Sequence, residues 1–228
     1  MARHGNSRHL NRLASSMYPR VSRKTEKYLA KPSPGRHKLE RSIALYVILR
    51  DKFGFAANAN EARKSIKRGE VLINGKAVKD DKYPVGFGDV LTLVQPKEAY
   101  SVSIGRYGDI KLEKLEGKEQ HSRTLKVVGK YLSKGSKVML RLYDGSALPG
   151  SKEVKVNDSV ILSGGKIKSV LKFESGAKCL IVKGTHASET GVIKEIKAGS
   201  ATNVAAVKVE GSGGSFETPA DNVMVVGA

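Results

Sequence analysis

From residue 71 to the C-terminus, apolar residues arrive in short runs separated by glycine and Asn/Asp turns, which leaves short β-strands as the regular structure the chain can build. Residues 71–73, the pair Asn74-Gly75 and residues 76–78 read as strand, two-residue turn and strand, because both turn residues tolerate positive φ. Residues 90–94 follow, then candidate strands at 102–104, 125–128, 137–143, 159–162 and 167–171, with Asp144-Gly145 and Gly164-Gly165 as turns. A last block at 178–182, 191–196, 204–209 and 223–226 has Gly211-Ser212-Gly213-Gly214 as a turn. Strands of this length and spacing predict a small barrel or sandwich, not a parallel α/β sheet.

Helix is predicted only ahead of this stretch. Residues 42–53 place Leu45, Ile48, Leu49 and Phe53 at helical spacing, with Gly54 as a stop. Asn58 is a candidate N-cap with Glu61 three residues on, the pattern of a capping box. The helix it opens sets Ala59, Ala62 and Ile66 on one face and ends at Gly69. Arg63, Lys64, Lys67 and Arg68 project from its other side. Arg63–Lys67 and Lys64–Arg68 are like-charged pairs four apart, a cost of a few tenths of a kcal/mol each that points to an external anion. Lys76, Lys79 and Lys82 extend the basic surface through the hairpin.

The charge is unevenly spread. The whole chain of 228 residues carries 41 Lys+Arg against 22 Asp+Glu, a net of +19, so a polyanion is the expected partner. Residues 1–41 hold 11 basic and 2 acidic residues, net +9; residues 42–95 hold 9 and 6, net +3. Residues 96–170 hold 15 and 8, net +7, while residues 171–228 hold 6 of each and are neutral. The first stretch has little apolar area to offset its ordering entropy, which predicts an arm that orders on its partner. A basic helix beside a basic hairpin can follow the phosphates of a folded RNA without reading base edges.

The run Asn58-Ala-Asn-Glu-Ala-Arg-Lys-Ser-Ile-Lys-Arg-Gly-Glu-Val-Leu-Ile-Asn-Gly-Lys76, closed by Gly88-Asp89-Val90, resembles the core of the S-four RNA-binding module. Pro32-Ser-Pro-Gly-Arg-His37, the stretch Arg8-His-Leu-Asn-Arg12 and Val156-Asn-Asp-Ser-Val-Ile161 narrow the likeness to the S-four-e family of small-subunit ribosomal proteins of archaea and eukaryotes. The length is similar to that of the archaeal members. Gly184 and Gly191, bracketing a loop between apolar strands, resemble a KOW motif in an SH3-like barrel. The resemblance implies a mostly β, α+β chain in four parts: a basic arm (1–41), an S-four-type helix and hairpin module (42–95), a β-rich central domain (96–172) and a KOW-like SH3-type barrel (173–228). It implies a structural constituent of the small ribosomal subunit that binds ribosomal RNA, supports assembly and has ribosomal proteins as neighbours. The RNA contacts it implies are Arg63, Lys64, Lys67, Arg68 and Lys76 in the module. In the arm they are Arg3, His4, Arg8, His9, Arg12, Arg36, His37 and Lys38. Two departures matter. Arg36 stands where many relatives have a second proline, and the loop 185–190 is less basic than a typical KOW loop, so RNA contact is not assigned to the final block.

Other chemistries find less support. Five histidines fall into no HExxH or CxxC pattern, so no metal or cofactor is expected, and no Gly-rich phosphate loop of the G-x-x-x-x-G-K-[ST] type occurs. Cys179, the one cysteine, lies among Leu180, Ile181 and Val182 and reads as a core residue in a reducing compartment, the cytoplasm by default. The apolar run 43–49 is too short to cross a bilayer, and there is no apolar core of a secretory signal. A mitochondrial transit peptide fits poorly, because the basic excess continues to Arg41 with little amphipathic period. An RNA-modifying enzyme using the same module needs a catalytic Asp in a cleft, and Asp144 and Asp158 sit in turn contexts instead. A KOW-type transcription or translation factor would carry no such arm. No enzyme activity and no small-molecule substrate are expected.

Overall fold

The fold is taken from a computed structural model that describes residues 7, 9–15, 22, 24–115, 122–199, 204–211 and 213–227. These fall into two units: one runs from the N-terminal residues through Ser103 and adds Asp109–Leu115, the other comprises Ile104–Gly108 and the residues from Ser122 onward.

In the first unit, β1 (Leu10–Asn11) pairs antiparallel with β2 (Tyr28–Leu29). The segment after β2 is laid against the module: Leu29 and Ala30 pack on its core, Pro32 is buried, and the Ser33 N–H donates to the Lys82 carbonyl at 2.8 Å. That differs from an arm ordered only by its partner, because a few apolar side chains and backbone hydrogen bonds suffice to hold this part. Residues 42–44 are not helical. They form β3 (Ser42–Ala44), buried throughout and paired with Gly86, Val85 and Pro84, so the helix starts three residues later than its apolar pattern suggests. It comprises α1 (Leu45–Val47) continued by a π-turn over Ile48–Lys52, closed by the Phe53 N–H on the Ile48 carbonyl. The second helix, α2 (Ala59–Arg68), ends at Gly69 with φ 79°, as its sequence predicts. Its N-terminus is not the expected capping box: the Asn58 side chain makes no cap bond, and Glu61 Oε2 reaches one residue further, accepting from the Ala57 N–H at 2.9 Å.

The hairpin of β4 (Val71–Ile73) and β5 (Lys76–Ala77) turns through Asn74 and Gly75, both at positive φ (52° and 78°). After β6 (Pro84–Gly86), β7 (Val90–Leu93) pairs with β4 and with β8 (Glu98–Ile104), and β9 (Ile110–Leu115) completes the sheet in the order β5-β4-β7-β8-β9. The module's sheet therefore runs past residue 95. Ala62 and Ile66 of α2 meet Leu45, Ile48 and Leu49 of the first helix and Val71, Ile73 and Leu91 of the sheet in one buried cluster.

The second unit is two antiparallel sheets. One, β12-β11-β10-β13-β14, comprises β10 (Ser122–Ser133), β11 (Lys137–Leu142), β12 (Ala147–Pro149), β13 (Ser159–Ser163) and β14 (Lys166–Leu171), with Leu125, Leu140, Leu142 and Leu162 in its core. The other, β18-β17-β16-β15-β19, comprises β15 (Lys178–Ile181), β16 (Thr190–Lys197), β17 (Ala206–Gly211), β18 (Gly214–Pro219) and β19 (Val223–Val225). Cys179 lies in its core, where burial raises the thiol pKa, as expected of a packing residue. Gly191 is required by close approach: a side chain there would meet the Glu210 carbonyl oxygen at 2.5 Å.

Candidate nucleic-acid interface

Helix α2 buries Ala62 and Ile66, which turns Lys64, Lys67 and Arg68 to solvent. Among the described residues neither Lys64 nor Lys67 has an ion pair, and Arg68 has a loose one, 3.7 Å from Glu70 with its side chain 70% exposed. Lys76 opens β5 just past the Asn74-Gly75 turn and is exposed. Arg63 departs from this pattern. Its Nε donates to Asp81 Oδ2 at 3.0 Å, and its guanidinium lies 4.9 Å from the centre of the Tyr46 ring. The like-charge cost along the helix is thus partly relieved from within, by a carboxylate 18 residues away that helical spacing could not reveal. A groove along the start of α2 is lined by the cations Lys64, Arg68 and Arg50, by one carboxylate, Glu61, and by the polar groups of Asn58, Asn60 and Ser65. Arg50 was not among the sequence candidates. Its signal was present, since the apolar spacing of the first helix leaves position 50 facing outward. A bidentate hydrogen bond to Asp51 (2.5 and 3.0 Å) raises its pKa, so the group keeps its charge.

His37 and Arg12 need correction as RNA contacts. The His37 imidazole is 2% exposed, with Nε2 2.8 Å from Asp89 Oδ2, and a carboxylate can only accept, so Nε2 carries the proton. Asp89 also accepts from Asn74 Nδ2 at 2.7 Å and from the Gly86 N–H at 3.2 Å, while Asn74 Oδ1 accepts from the Val90 N–H at 3.0 Å. Burial pushes the Asp89 carboxyl up, but the hydrogen bond and charge of His37, with the bonds from Asn74 and Gly86, outweigh it and hold the pKa below its ordinary value. The Gly88-Asp89-Val90 signature is thus a structural hub that ties hairpin turn, β6, β7 and the end of the arm together. Gly86 makes room for it, because a side chain there would meet His37 Nδ1 at 2.7 Å. The Arg12 side chain is 5% exposed, donates to the Ser22 carbonyl at 2.7 Å and lies 3.6 Å from Glu26. Both are buried because an arm that folds back on itself needs its own anchors. Of the other arm candidates, His9 and Lys38 are exposed, His9 lies 5.8 Å from the Tyr28 ring, and Arg36 is half-buried. Arg3, His4 and Arg8 lie outside the described residues.

The carboxylates that an enzyme would need are used structurally. Asp144 is buried between Arg123 Nη1, at 3.0 Å, and the N–H and hydroxyl of Ser146; Asp158 accepts from the N–H groups of Lys155 and Phe173. Among the described residues no three His, Cys, Asp or Glu side chains are grouped to hold a metal, and no helix is long and apolar enough to cross a membrane.

Two family models match the chain: the S4 domain over residues 47–91, and ribosomal family S4e over residues 97–167. The small ribosomal subunit protein eS4 of Methanosphaera stadtmanae is 37% identical over 230 residues, covering 100% of this chain and 95% of that protein. The chain belongs to ribosomal family S4e. The eS4 protein of Archaeoglobus fulgidus is also 37% identical, over 96% of this chain and 93% of its own length. The crystal structure of the 30S ribosomal protein S4e from Thermoplasma acidophilum superposes with a TM-score of 0.71 at 30% identity, covering 82% of this chain and 96% of that one. In this S4e chain the S4 match contains Lys64, Lys67, Arg68, Lys76 and the whole of α2, so the exposed cations sit on the segment that matches the S4 domain.

Proposed function

We propose that this S4e protein is a structural, non-catalytic constituent of the small ribosomal subunit in the cytoplasm, where it binds ribosomal RNA by charge and shape, supports assembly and abuts other ribosomal proteins. The observation that carries the reading is the set of exposed cations on the S4 domain, Lys64, Lys67, Arg68 and Lys76. Among the described residues only Arg68 of these has a carboxylate near it, Glu70 at 3.7 Å, while Glu61 on the same helix is turned to the Ala57 N–H. His9, Arg36 and Lys38 of the arm, with Arg3, His4 and Arg8 before them, are the further contacts assigned. Arg63 contributes by holding the Tyr46–Asp81 side of α2 and leaving part of its guanidinium exposed.

Four parts carry this role. The arm ends near residue 41, and the S4-type module keeps its strands through Leu115. The central sheet follows to about residue 172. The final five-stranded sheet is read as a KOW-like SH3-type barrel, supported by its all-antiparallel order and by Gly184 and Gly191 flanking the loop that holds His186 against Phe216. The test is binding of the full chain to small-subunit ribosomal RNA over a salt series. A linear fall of log K with log salt is expected, shallower by about three when Lys64, Lys67, Arg68 and Lys76 are all changed to glutamine. A flat dependence unaffected by that change would sink the reading.

A further inference from the structure

The central sheet carries a second basic surface. Residues 122–172 hold 11 Lys/Arg and three Asp/Glu, and of the acids Asp144 and Asp158 are buried, which leaves Glu153 exposed. Nine of the eleven cations are exposed, the exceptions being Arg123, which meets Asp144, and the buried Lys126. So lopsided a surface repels itself and gains from an anion.

The pairing of β10 with β11 arranges part of it. Gly129 faces Arg141, Tyr131 faces Met139 and Ser133 faces Lys137, and alternation puts these six on one side of the hairpin. Lys130 and Leu140 belong to the other side, where Leu140 enters the core and Lys130 Nζ donates to the Lys152 and Val154 carbonyls. On the outward side Tyr131 is 47% exposed and lies between Arg141 and Lys137, both exposed and both without an ion pair among the described residues. Arg141 and Lys137 are four residues apart on one strand, ~13 Å at strand spacing, enough to meet phosphates on either side of an unstacked base. Gly129 leaves the Arg141 guanidinium uncovered, with Nε 3.9 Å from where a side-chain carbon would lie. The pairing register shifts between Val127 and Gly129, the mark of a β-bulge, which increases the local twist of a strand pair.

We propose that this face of the β10–β11 hairpin is a second RNA-contact site, in which Tyr131 stacks on an unpaired base and Lys137 and Arg141 hold the flanking phosphates. The inference rests on the RNA-binding role proposed above and extends it to a domain with no assigned contact. An aromatic ring framed by two cations on a strand suits single-stranded or looped RNA, whose bases are free to stack.

The experiment measures affinity of the full chain for small-subunit ribosomal RNA across a salt series. It compares wild type, Tyr131→Ala, Lys137→Gln/Arg141→Gln, the charge-keeping Lys137→Arg/Arg141→Lys, and the four-residue S4-domain glutamine variant. Thermal melts confirm that each folds, which exposed positions favour. The double glutamine variant is expected to bind about tenfold more weakly at low salt with a slope shallower by about one to two, the charge-keeping pair to bind like wild type, and Tyr131→Ala to weaken binding about tenfold with the slope unchanged. Wild-type affinity and slope in both the Tyr131 and double glutamine variants, with the S4-domain variant weakened, would overturn the hairpin site and leave the proposed function standing. No salt-dependent binding even by wild type would overturn both.

Discussion

Asp89 shows how a single buried carboxylate can decide the shape of an RNA-binding surface it does not reach. It collects hydrogen bonds from His37, Asn74 and the Gly86 backbone, and so fixes the hairpin that presents Lys76. Removing one partner of a buried pair leaves the other charge uncompensated, so His37→Ala is expected to cost ~3–5 kcal/mol in urea unfolding. The same variant should leave the salt dependence of RNA binding unchanged, which would separate an anchor from a phosphate contact. The Asp89 pKa lies below its ordinary value in the folded state, so its contribution to stability is full above the unfolded value near 3.8 and is lost as pH falls through the folded one. Unfolding measured down to about pH 2 should show wild type losing stability relative to Asp89→Asn below pH ~4. Lys126 has the opposite sign. Burial lowers its pKa to about 8, against a smaller pull upward from Asp221, while Nζ donates to the Ala220 carbonyl at 2.6 Å. Below pH 8 the charged amine costs folding ~3 kcal/mol; between about 8 and 10.5 the folded state releases its proton first and stability rises. Lys126→Met is expected to be more stable than wild type at pH 7 and to lack that rise, because the Ala220 carbonyl still accepts from the Val223 N–H.

The elements divide between those dictated locally and those dictated by packing. Helix α2 needs only its own sequence: Ala62 and Ile66 on one face, an acidic first turn, two basic residues in the last, and Gly69 in the left-handed region at its end. Gly69→Ala is expected to lower stability by ~1 kcal/mol, read as a drop in the thermal midpoint, since positive φ is strained for alanine. The hairpin turn was legible for the same reason, Asn74 and Gly75 both taking positive φ. Residues 42–44 were misread because Ile43, Leu45, Val47, Ile48 and Leu49 are all buried, and an apolar run buried on every side looks alike as strand or helix. What makes 42–44 a strand is β6, some 40 residues on, which supplies its hydrogen bonds. The strand Ile110–Leu115 was missed because its alternation is filled by charge, Lys111, Glu113 and Lys114, and it is held by the edge of the sheet.

For the whole molecule, the function follows from where cations are left over after folding. A net charge of +19 could have been spread as a solvated coat. Instead Arg63, Arg12 and Arg123 are spent on Asp81, Glu26 and Asp144, while Lys64, Lys67 and Lys76 are left facing solvent. RNA affinity should therefore respond unequally to equal changes of charge. Lys67→Gln is expected to reduce the salt slope by about one, whereas Arg123→Gln should leave the slope alone and lower stability by ~3 kcal/mol. Slope and unfolding measurements on the two variants would expose any exchange of these roles.

The sequence by itself determined the local and compositional facts: short strands, the basic helix, the turn residues, the polyanion partner and, through the helix and hairpin motif combined with residues 8–12, 32–37 and 156–161 and the final block, the family resemblance. These depend on neighbours a few residues apart or on sums over the chain, which need no coordinates. Only the tertiary structure decided which cations are available. His37 and Asp89 are 52 residues apart, and Arg63 and Asp81 are 18 apart. Whether a charge is neutralised within the fold or left for a partner depends on distances of a few ångströms between such residues, and no periodicity in the chain encodes them.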